Sequence, residues 1–291
     1  MFKKIPLPPP FSLVKREKVF LLLKDTYKDF LLQQGIEDLN TFLKNNRQQI
    51  YYLNGRTPHP SVPLQDGKRM VLRLYSHGGL LRIFTRDLYL FGSRSFRELA
   101  LTEEIRSCGL LTVEPIGAIH RILFPPFYKA CLLSLEIPQS VNLIQYLQEL
   151  DTHPGQKDPS SKQKMIRSAG LLLRQFHQEG FLHGDLQLKN ILWSEDRFLL
   201  IDFDRTHRKP TLSTREKMKD LLRLNRSVEK WKRLGLPISR TDRWRFFKAY
   251  AGDDPKMRKG IKEALWIYSI RSFLHRFAWA IESWVKKCVH A

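Results

Sequence analysis

Cysteine is scarce in this chain. Cys108, Cys131 and Cys288 are the only three in 291 residues, too few and too irregularly spaced for a disulfide framework, a redox pair or a zinc cluster. Their odd number points to buried or free thiols in a reducing compartment. Long apolar runs are missing as well. Val19–Leu23 is short and flanked by charge, and nothing approaches the roughly 20 residues that span a bilayer. Lys3 and Lys4 imitate the start of a secretory leader, but Pro6, Pro8, Pro9 and Pro10 follow, so no signal peptide is expected. With only 15 glycines and 16 prolines, collagen-like and low-complexity classes are excluded. His59, His77, His120, His153, His177 and His207 form no metal-ligand spacing, and no serine-nucleophile motif occurs. Acidic residues are also in deficit, 29 against 50 Lys and Arg, which leaves a net charge of +21. Such an excess points to a polyanionic partner: nucleic acid, phosphorylated lipid or nucleotide.

What is present suffices for a folded protein. Hydrophobic residues make up 42% of the chain, enough for a buried core and against disorder as the main description. The length fits one large domain or two small ones. Residues 1–48 read as a basic lead-in, helical over Val19–Leu32 and Asp38–Asn45. Short extended segments follow, including Arg69–Tyr75, where Met70, Leu72 and Leu74 alternate with Val71, Arg73 and Tyr75. Phe96–Cys108 reads as a helix stopped by Gly109. Val113–Ile119 and Tyr128–Glu136 read as strands on either side of Pro125-Pro126. From there the pattern turns helical: Asn142–Leu150, a polar loop Asp151–Ser161, and an amphipathic helix Lys164–Glu179 closed by Gly180. The expected organisation is an α+β chain with the lead-in at 1–48, a β-rich lobe with one helix at 49–137, and a helical lobe at 138–291.

The chemistry concentrates in one place. FLHGDLQLKNILW (Phe181–Trp193) leads through a turn at Ser194–Arg197 into FLLIDFD (Phe198–Asp204). Two short apolar strands flank a polar turn, with Asp185 and Asn190 before them and Asp202 at the end of the second. Three oxygen-bearing side chains so placed suit phosphoryl transfer, which needs a carboxylate to orient the attacking hydroxyl and metal ions on the phosphates. Hard Mg²⁺ prefers oxygen ligands, which Asn190 and Asp202 can supply.

The pattern H-G-D-L-x-x-x-N followed 17 residues on by I-D-F-D resembles the catalytic core of the protein-kinase-like fold, usually H-R-D-L-x-x-x-N and D-F-G. That resemblance implies a bilobal fold, a β-rich N-terminal lobe and a helical C-terminal lobe. It also implies Asp185 as catalytic base, Asn190 and Asp202 as Mg²⁺ ligands, and His183 as a brace of the loop. Asp204 replaces the glycine of D-F-G, Gln187 stands where many protein kinases keep a lysine, and no A-P-E segment follows. A regulated protein kinase is therefore not expected.

A narrower similarity is to the lipopolysaccharide kinases, which phosphorylate inner-core sugars, 3-deoxy-D-manno-octulosonic acid (Kdo) or heptose. It rests on VLRLYSHGGL (Val71–Leu80), SFRELALTEEIRSCGL (Ser95–Leu110), FLHGDLQLKNIL, LIDFDR (Leu200–Arg205) and LLRLNRSVEKW (Leu221–Trp231). The R-x-Y-x-x-G-G and R-L-x-R-S segments look most like the Kdo kinase branch, whereas Ser239–Tyr250 is similar to a tail found more widely, heptose kinases included. The resemblance implies Mg·ATP as phosphate donor and a lipid A-linked saccharide as acceptor. By the same alignment Arg73 takes the position of the usual strand lysine and Glu98 that of its helix partner. Gly55 falls in the phosphate-covering loop, although no G-x-G-x-x-G exists, and Glu136–Pro138 is the expected adenine hinge.

The tail carries most of the charge: 23 basic against 8 acidic residues from Arg205 to Ala291, a net +15 of the total +21. Arg205, Arg208 and Lys209 directly follow Asp202 and are candidate contacts to an anionic acceptor. Ile261–Lys287 reads as an amphipathic helix with Trp266, Ile270, Phe273, Phe277, Ile281 and Trp284 in one stripe, expected to pack on the C-terminal lobe. An anionic membrane surface is an expected partner, and nucleic acid is not, since aromatics lie on helical stripes rather than a basic sheet. The expected location is cytoplasmic, peripheral on the cytoplasmic face of the inner membrane. Rival readings are a heptose kinase, another small-molecule or protein kinase of this fold, and a basic pseudokinase that binds anionic lipid or nucleic acid.

Overall fold

A computed structural model of the chain describes residues 8–53, 58–75, 88–90, 92–152 and 159–267. Gly55 and most of the expected C-terminal helix, beyond residue 267, lie outside these residues. The chain divides into two compact units, residues 1–140 with 194–205, and residues 141–193 with 206–291.

The first unit is built on an antiparallel sheet. Its strands are β1 (Phe11–Arg16), β2 (Val19–Lys24), β3 (Tyr51–Leu53), β4 (His59–Pro63), β5 (Arg69–Leu74), β6 (Tyr89–Leu90), β7 (Pro115–Phe124) and β8 (Phe127–Leu135). They run in the order β1-β2-β7-β8-β5-β4-β3, with β6 on β8. Helices α1 (Asp25–Gln33), α2 (Leu39–Asn45) and α3 (Arg94–Ser107) complete it. Ser93 caps α3 by accepting from the Phe96 N–H, satisfying one of the donors a helix start leaves open.

Residues 1–48 are therefore not a separate lead-in. Residues 19–24, expected to be helical, are the strand β2, paired with β1 and β7. The reason lies in two-sided burial. Leu21 and Leu23 pack into one core cluster with Tyr27 and Leu31 of α1 and Phe42 of α2, while Leu22 packs into another with Phe96 and Leu99 of α3. A strand covered on both faces reads as an unbroken apolar run, which periodicity cannot tell from a short helix. Burial of each leucine contributes about 1.5–3 kcal/mol. With α1 and α2 the unit holds three helices among its described residues, rather than one.

In the second unit, α4 (Leu143–Thr152) and α5 (Pro159–Gln178) precede the short strand β10 (Phe181–Leu182). Strand β9 (Val141–Asn142) pairs with β11 (Ile191–Ser194), and β10 pairs with β13 (His207–Arg208). Helices α6 (Thr214–Arg233) and α7 (Arg240–Ala251) follow, both opened by capping boxes, Ser213 with Glu216 and Ser239 with Asp242. Residues 255–267 are helical. No helix among the described residues is long and apolar enough to cross a membrane.

The segment 194–205 corrects the expected boundary at 138, because it belongs to the first unit. It carries β12 (Arg197–Leu200). There the Leu200 N–H donates to the Leu111 carbonyl at 3.2 Å and the Thr112 hydroxyl to the Leu200 carbonyl at 2.6 Å.

Candidate active site

In the first unit, strand β5 carries Arg73 at its far end and helix α3 carries Glu98 in its second turn. The Arg73 guanidinium donates to Asp202 Oδ1 at 2.7 Å, to Tyr75 Oη at 3.1 Å and to Glu98 Oε2. Tyr75 also donates to Glu98 Oε2, and the Phe203 N–H donates to Glu98 Oε1 at 3.0 Å. Glu98 is 2% exposed, so both of its oxygens need such partners. Burial pushes its carboxyl up, Arg73 opposes this, and Asp202 adds to it. Burial works against the Arg73 charge, yet Glu98, Tyr75 and Asp202 outweigh it and hold the guanidinium well above its ordinary range. The Tyr75 hydroxyl is pushed far up by burial and then by Glu98.

Arg73 is not saturated by these contacts. Its Nε–H is buried without a hydrogen-bond partner among the described residues, a donor that calls for a further oxygen, from water or a bound group. Asp202 has φ +70°, a conformation a non-glycine residue holds only where its surroundings fix it, as Asp tolerates better than most. Two residues on, Arg94 at the start of α3 binds Asp204 through Nε at 2.8 Å and through Nη2. His59 on β4 is held below its ordinary pKa by burial and then by Arg73, with Asp202 pulling the other way.

Glu136 follows β8. Its N–H is committed to the Arg69 carbonyl at 2.8 Å, and its carboxylate accepts from Tyr51 and Ser61. The side chain thus ties β3 and β4 together. Arg205 is exposed.

In the second unit the loop after β10 is held by helix α6. The Asp220 carboxylate accepts from the His183 N–H at 2.6 Å and the Gly184 N–H at 2.9 Å. Gly184 turns the chain at φ +73°, which costs a glycine least. Burial opposes the charge on Asp220, but His177 and the His183 N–H hold its carboxyl below the usual range. His183 is fully buried, and its carbonyl accepts from the Thr206 hydroxyl at 3.0 Å.

Asp185 is clamped too. Its Oδ1 accepts from Gln187 Nε2 at 2.6 Å and Arg223 Nε at 2.6 Å, with Arg223 Nη2 also on that oxygen. Asn190, 3% exposed, donates from Nδ2 to the Asp185 carbonyl at 2.9 Å. That contact fixes the amide orientation and turns its Oδ1 away from the Asp185 carbonyl. Arg208 and Lys209 are used within this unit: Arg208 donates to the Glu179 carbonyl at 3.0 Å and lies over the Phe181 ring, and Lys209 pairs with Glu216 at 2.5 Å.

Sequence reasoning singled out Arg73, Glu98 and Asp202, and the structure brings these three together; likewise Asp185 and Asn190 meet. It passed over Tyr75, Arg94, Asp220 and Arg223. Tyr75 and Arg223 stand inside segments already quoted, R-x-Y and R-L-x-R-S, so a signal was present. Arg94 had none, because its partner lies 110 residues away.

The chain is similar to known proteins over most of its length. The family described as "Lipopolysaccharide kinase (Kdo/WaaP) family" matches residues 40–250. A 3-deoxy-D-manno-octulosonic acid kinase of Pasteurella multocida is 30% identical over 74% of this chain and 89% of its own length. The enzyme of that name from Vibrio cholerae is 32% identical over 65% of this chain and 77% of its own. Among solved structures, "WaaP in complex with acyl carrier protein" shares the fold, with a TM-score of 0.52 and 18% identity over 85% of this chain and 99% of that one. Since the matched region takes in β5, α3, the Asp185 loop and helices α6 and α7, the chain belongs to the lipopolysaccharide kinase (Kdo/WaaP) family.

Proposed function

We propose that this kinase transfers the γ-phosphoryl group of ATP to a hydroxyl of Kdo in the lipid A-linked inner core, and that its two units are the lobes of a protein-kinase-like fold. The observation that carries the reading is the Arg73 fork on Glu98 and Asp202, with a buried Nε–H left over. A guanidinium so fixed binds phosphate oxygens and gives a nucleotide a rigid anchor. At the hinge, the Glu136 N–H is occupied by Arg69, so adenine would meet the Glu136 carbonyl and the Ile137 N–H.

In the reaction the acceptor oxygen forms a bond to the γ-phosphorus while the bond from that phosphorus to the β,γ-bridging oxygen breaks. ADP leaves with that electron pair, and the hydroxyl proton passes to Asp185. His183, through its backbone, keeps the loop in place.

For Mg²⁺ the kinase resemblance names Asn190 and Asp202, and each by itself has an oxygen of the kind Mg²⁺ takes. The Asn190 Nδ2 contact leaves an amide oxygen as ligand, and Asp202 brings a carboxylate held in a fixed backbone conformation. No group of three or more His, Cys, Asp or Glu able to hold a metal occurs among the described residues. Mg²⁺ commonly binds through one or two protein oxygens plus substrate phosphates rather than an all-protein cage. When bound, it neutralises charge on the phosphates.

The acceptor assignment rests on the Kdo kinases that this chain is similar to. Labelled γ-phosphate transferred from Mg·ATP to Kdo-bearing lipid A precursor, with Asp185→Asn inactive, is the expected result. Transfer to heptosylated core alone would replace Kdo by heptose, and no transfer to either would reject the acceptor class. For a lipid-linked acceptor we further infer a peripheral position on the cytoplasmic face of the inner membrane. It is supported by the +15 charge after residue 204 and by exposed Leu234 and Trp244, the latter with Lys248 at 5.0 Å from its ring. Sedimentation with anionic but not neutral vesicles, lost at high salt, is the expected result.

A further inference from the structure

Helix α6 presents Asp220, Arg223 and Ser227, at spacings of three and four residues that share one helical face, to consecutive points of the loop. Asp220 takes the His183 and Gly184 N–H groups, Arg223 takes the Asp185 carboxylate, and the Ser227 hydroxyl accepts from the Leu188 N–H at 3.2 Å. Within this face the Arg223 contact is the one that reaches a reacting group. Gln187, the loop's own donor to Asp185, is neutral, so the positive charge beside that carboxylate arrives from the helix.

The contacts are also one-sided. Both Arg223 nitrogens and the Gln187 amide converge on Oδ1, and no hydrogen bond among the described residues reaches Oδ2. The terminal torsion of an aspartate is broad, with no staggered well to hold it. Tying down one oxygen therefore sets where the other points.

We propose that Arg223 is a positioning residue for phosphoryl transfer, which fixes Asp185 through Oδ1 and so presents Oδ2 to the acceptor hydroxyl. This rests on Asp185 being the base. Misplacing a reacting group by about 1 Å costs on the order of 100-fold in rate, and that is the loss expected in kcat for Arg223→Met, with the KM for ATP unchanged. A lysine at 187 extends to the oxygen that the Gln187 amide now holds, so Arg223→Met/Gln187→Lys should recover at least about tenfold of that loss. A merely structural arginine would not be replaced by a charge placed on a different element.

The experiment is steady-state transfer from Mg·ATP to Kdo-bearing lipid A precursor by wild type, Asp185→Asn, Arg223→Met, Arg223→Lys and the double variant, each with its thermal unfolding midpoint. A folded Arg223→Met with kcat within about twofold of wild type overturns the proposal, as does a double variant no better than the single one. If Arg223→Met does not fold, Arg223→Lys decides. A fall in kcat at unchanged ATP KM supports the proposal, and wild-type kcat overturns it. Asp185→Asn with wild-type activity would instead remove the reading of Asp185 on which this one stands.

Discussion

Arg94 holds Asp204 by two edges, Nε to Oδ1 at 2.8 Å and Nη2 to Oδ2. Asp204 stands where the usual kinase signature has glycine, and its pairing with Arg94 ties the segment after Asp202 to the start of α3. The Arg94 guanidinium also lies 4.5 Å from the centre of the Tyr89 ring. Asp204→Gly should destabilise the protein by about 1–2 kcal/mol, the range for a charge-assisted pair that keeps some solvent contact. In a double-mutant cycle with Arg94→Met, denaturant unfolding should give a coupling of at least about 0.5 kcal/mol. Additive single effects would show that the pair contributes nothing.

Replacing Arg73 should change the kinetics toward ATP. If Arg73 anchors phosphate as proposed, Arg73→Met should raise the KM for ATP and lower kcat/KM by about 100-fold or more. Arg73→Lys should recover only part of this, because one ammonium cannot reproduce a fork spanning Glu98, Tyr75 and Asp202. A lysine variant with wild-type kcat/KM would show that the fork is dispensable.

Gly170 on α5 lies against α7. A Cβ at this position would meet the Phe246 carbonyl oxygen at 2.6 Å and the Ala249 Cβ at 3.1 Å. The first of these is backbone and cannot swing aside. Gly170→Ala should therefore cost about 1–3 kcal/mol of stability, read as a lower denaturant midpoint at unchanged slope. An unchanged midpoint would mean the two helices separate freely.

His120 on β7 is fully buried, stacked on Tyr128 at 4.2 Å and edge-on to Phe96 and Phe20. Burial lowers its pKa to about 4 from 6.5. The unfolded chain therefore binds a proton there that the native state refuses, so stability falls as pH drops from about 6.5 to about 4. The slope approaches one proton, about 1.4 kcal/mol per pH unit. Carboxylates titrate in the same window, so the measurement is the difference between wild type and His120→Phe. The variant should lose less stability over that range, and equal slopes would refute the assignment.

The candidate site segment stood out in the sequence because its residues are close together there. His183, Asp185, Asn190 and Asp202 fall within 20 positions, and the order of oxygen-bearing groups and short apolar strands is a local pattern. The helix Phe96–Cys108 and the strand Arg69–Tyr75 were legible for the same reason, through their own periodicity and stop signals. Val19–Leu23 was not, because an apolar run carries no period of its own and becomes a strand only when β1 and β7 supply hydrogen bonds and α1, α2 and α3 cover its faces.

By itself the sequence determined the chemistry at hand: a carboxylate, an amide and a second carboxylate in the order a kinase uses, on a chain with an excess of positive charge. Tertiary structure decided which charges meet. Arg73 could have been a solvated strand residue, and only the approach of α3 and of the segment 194–205 places Glu98 and Asp202 on its fork. Arg223 is one of many basic residues in the tail, and only the packing of α6 beside the loop selects it for Asp185. Ion pairs between residues 38 to 129 positions apart leave no periodic trace in a sequence, because a charge needs only a nearby opposite charge in space, from whatever part of the chain supplies it.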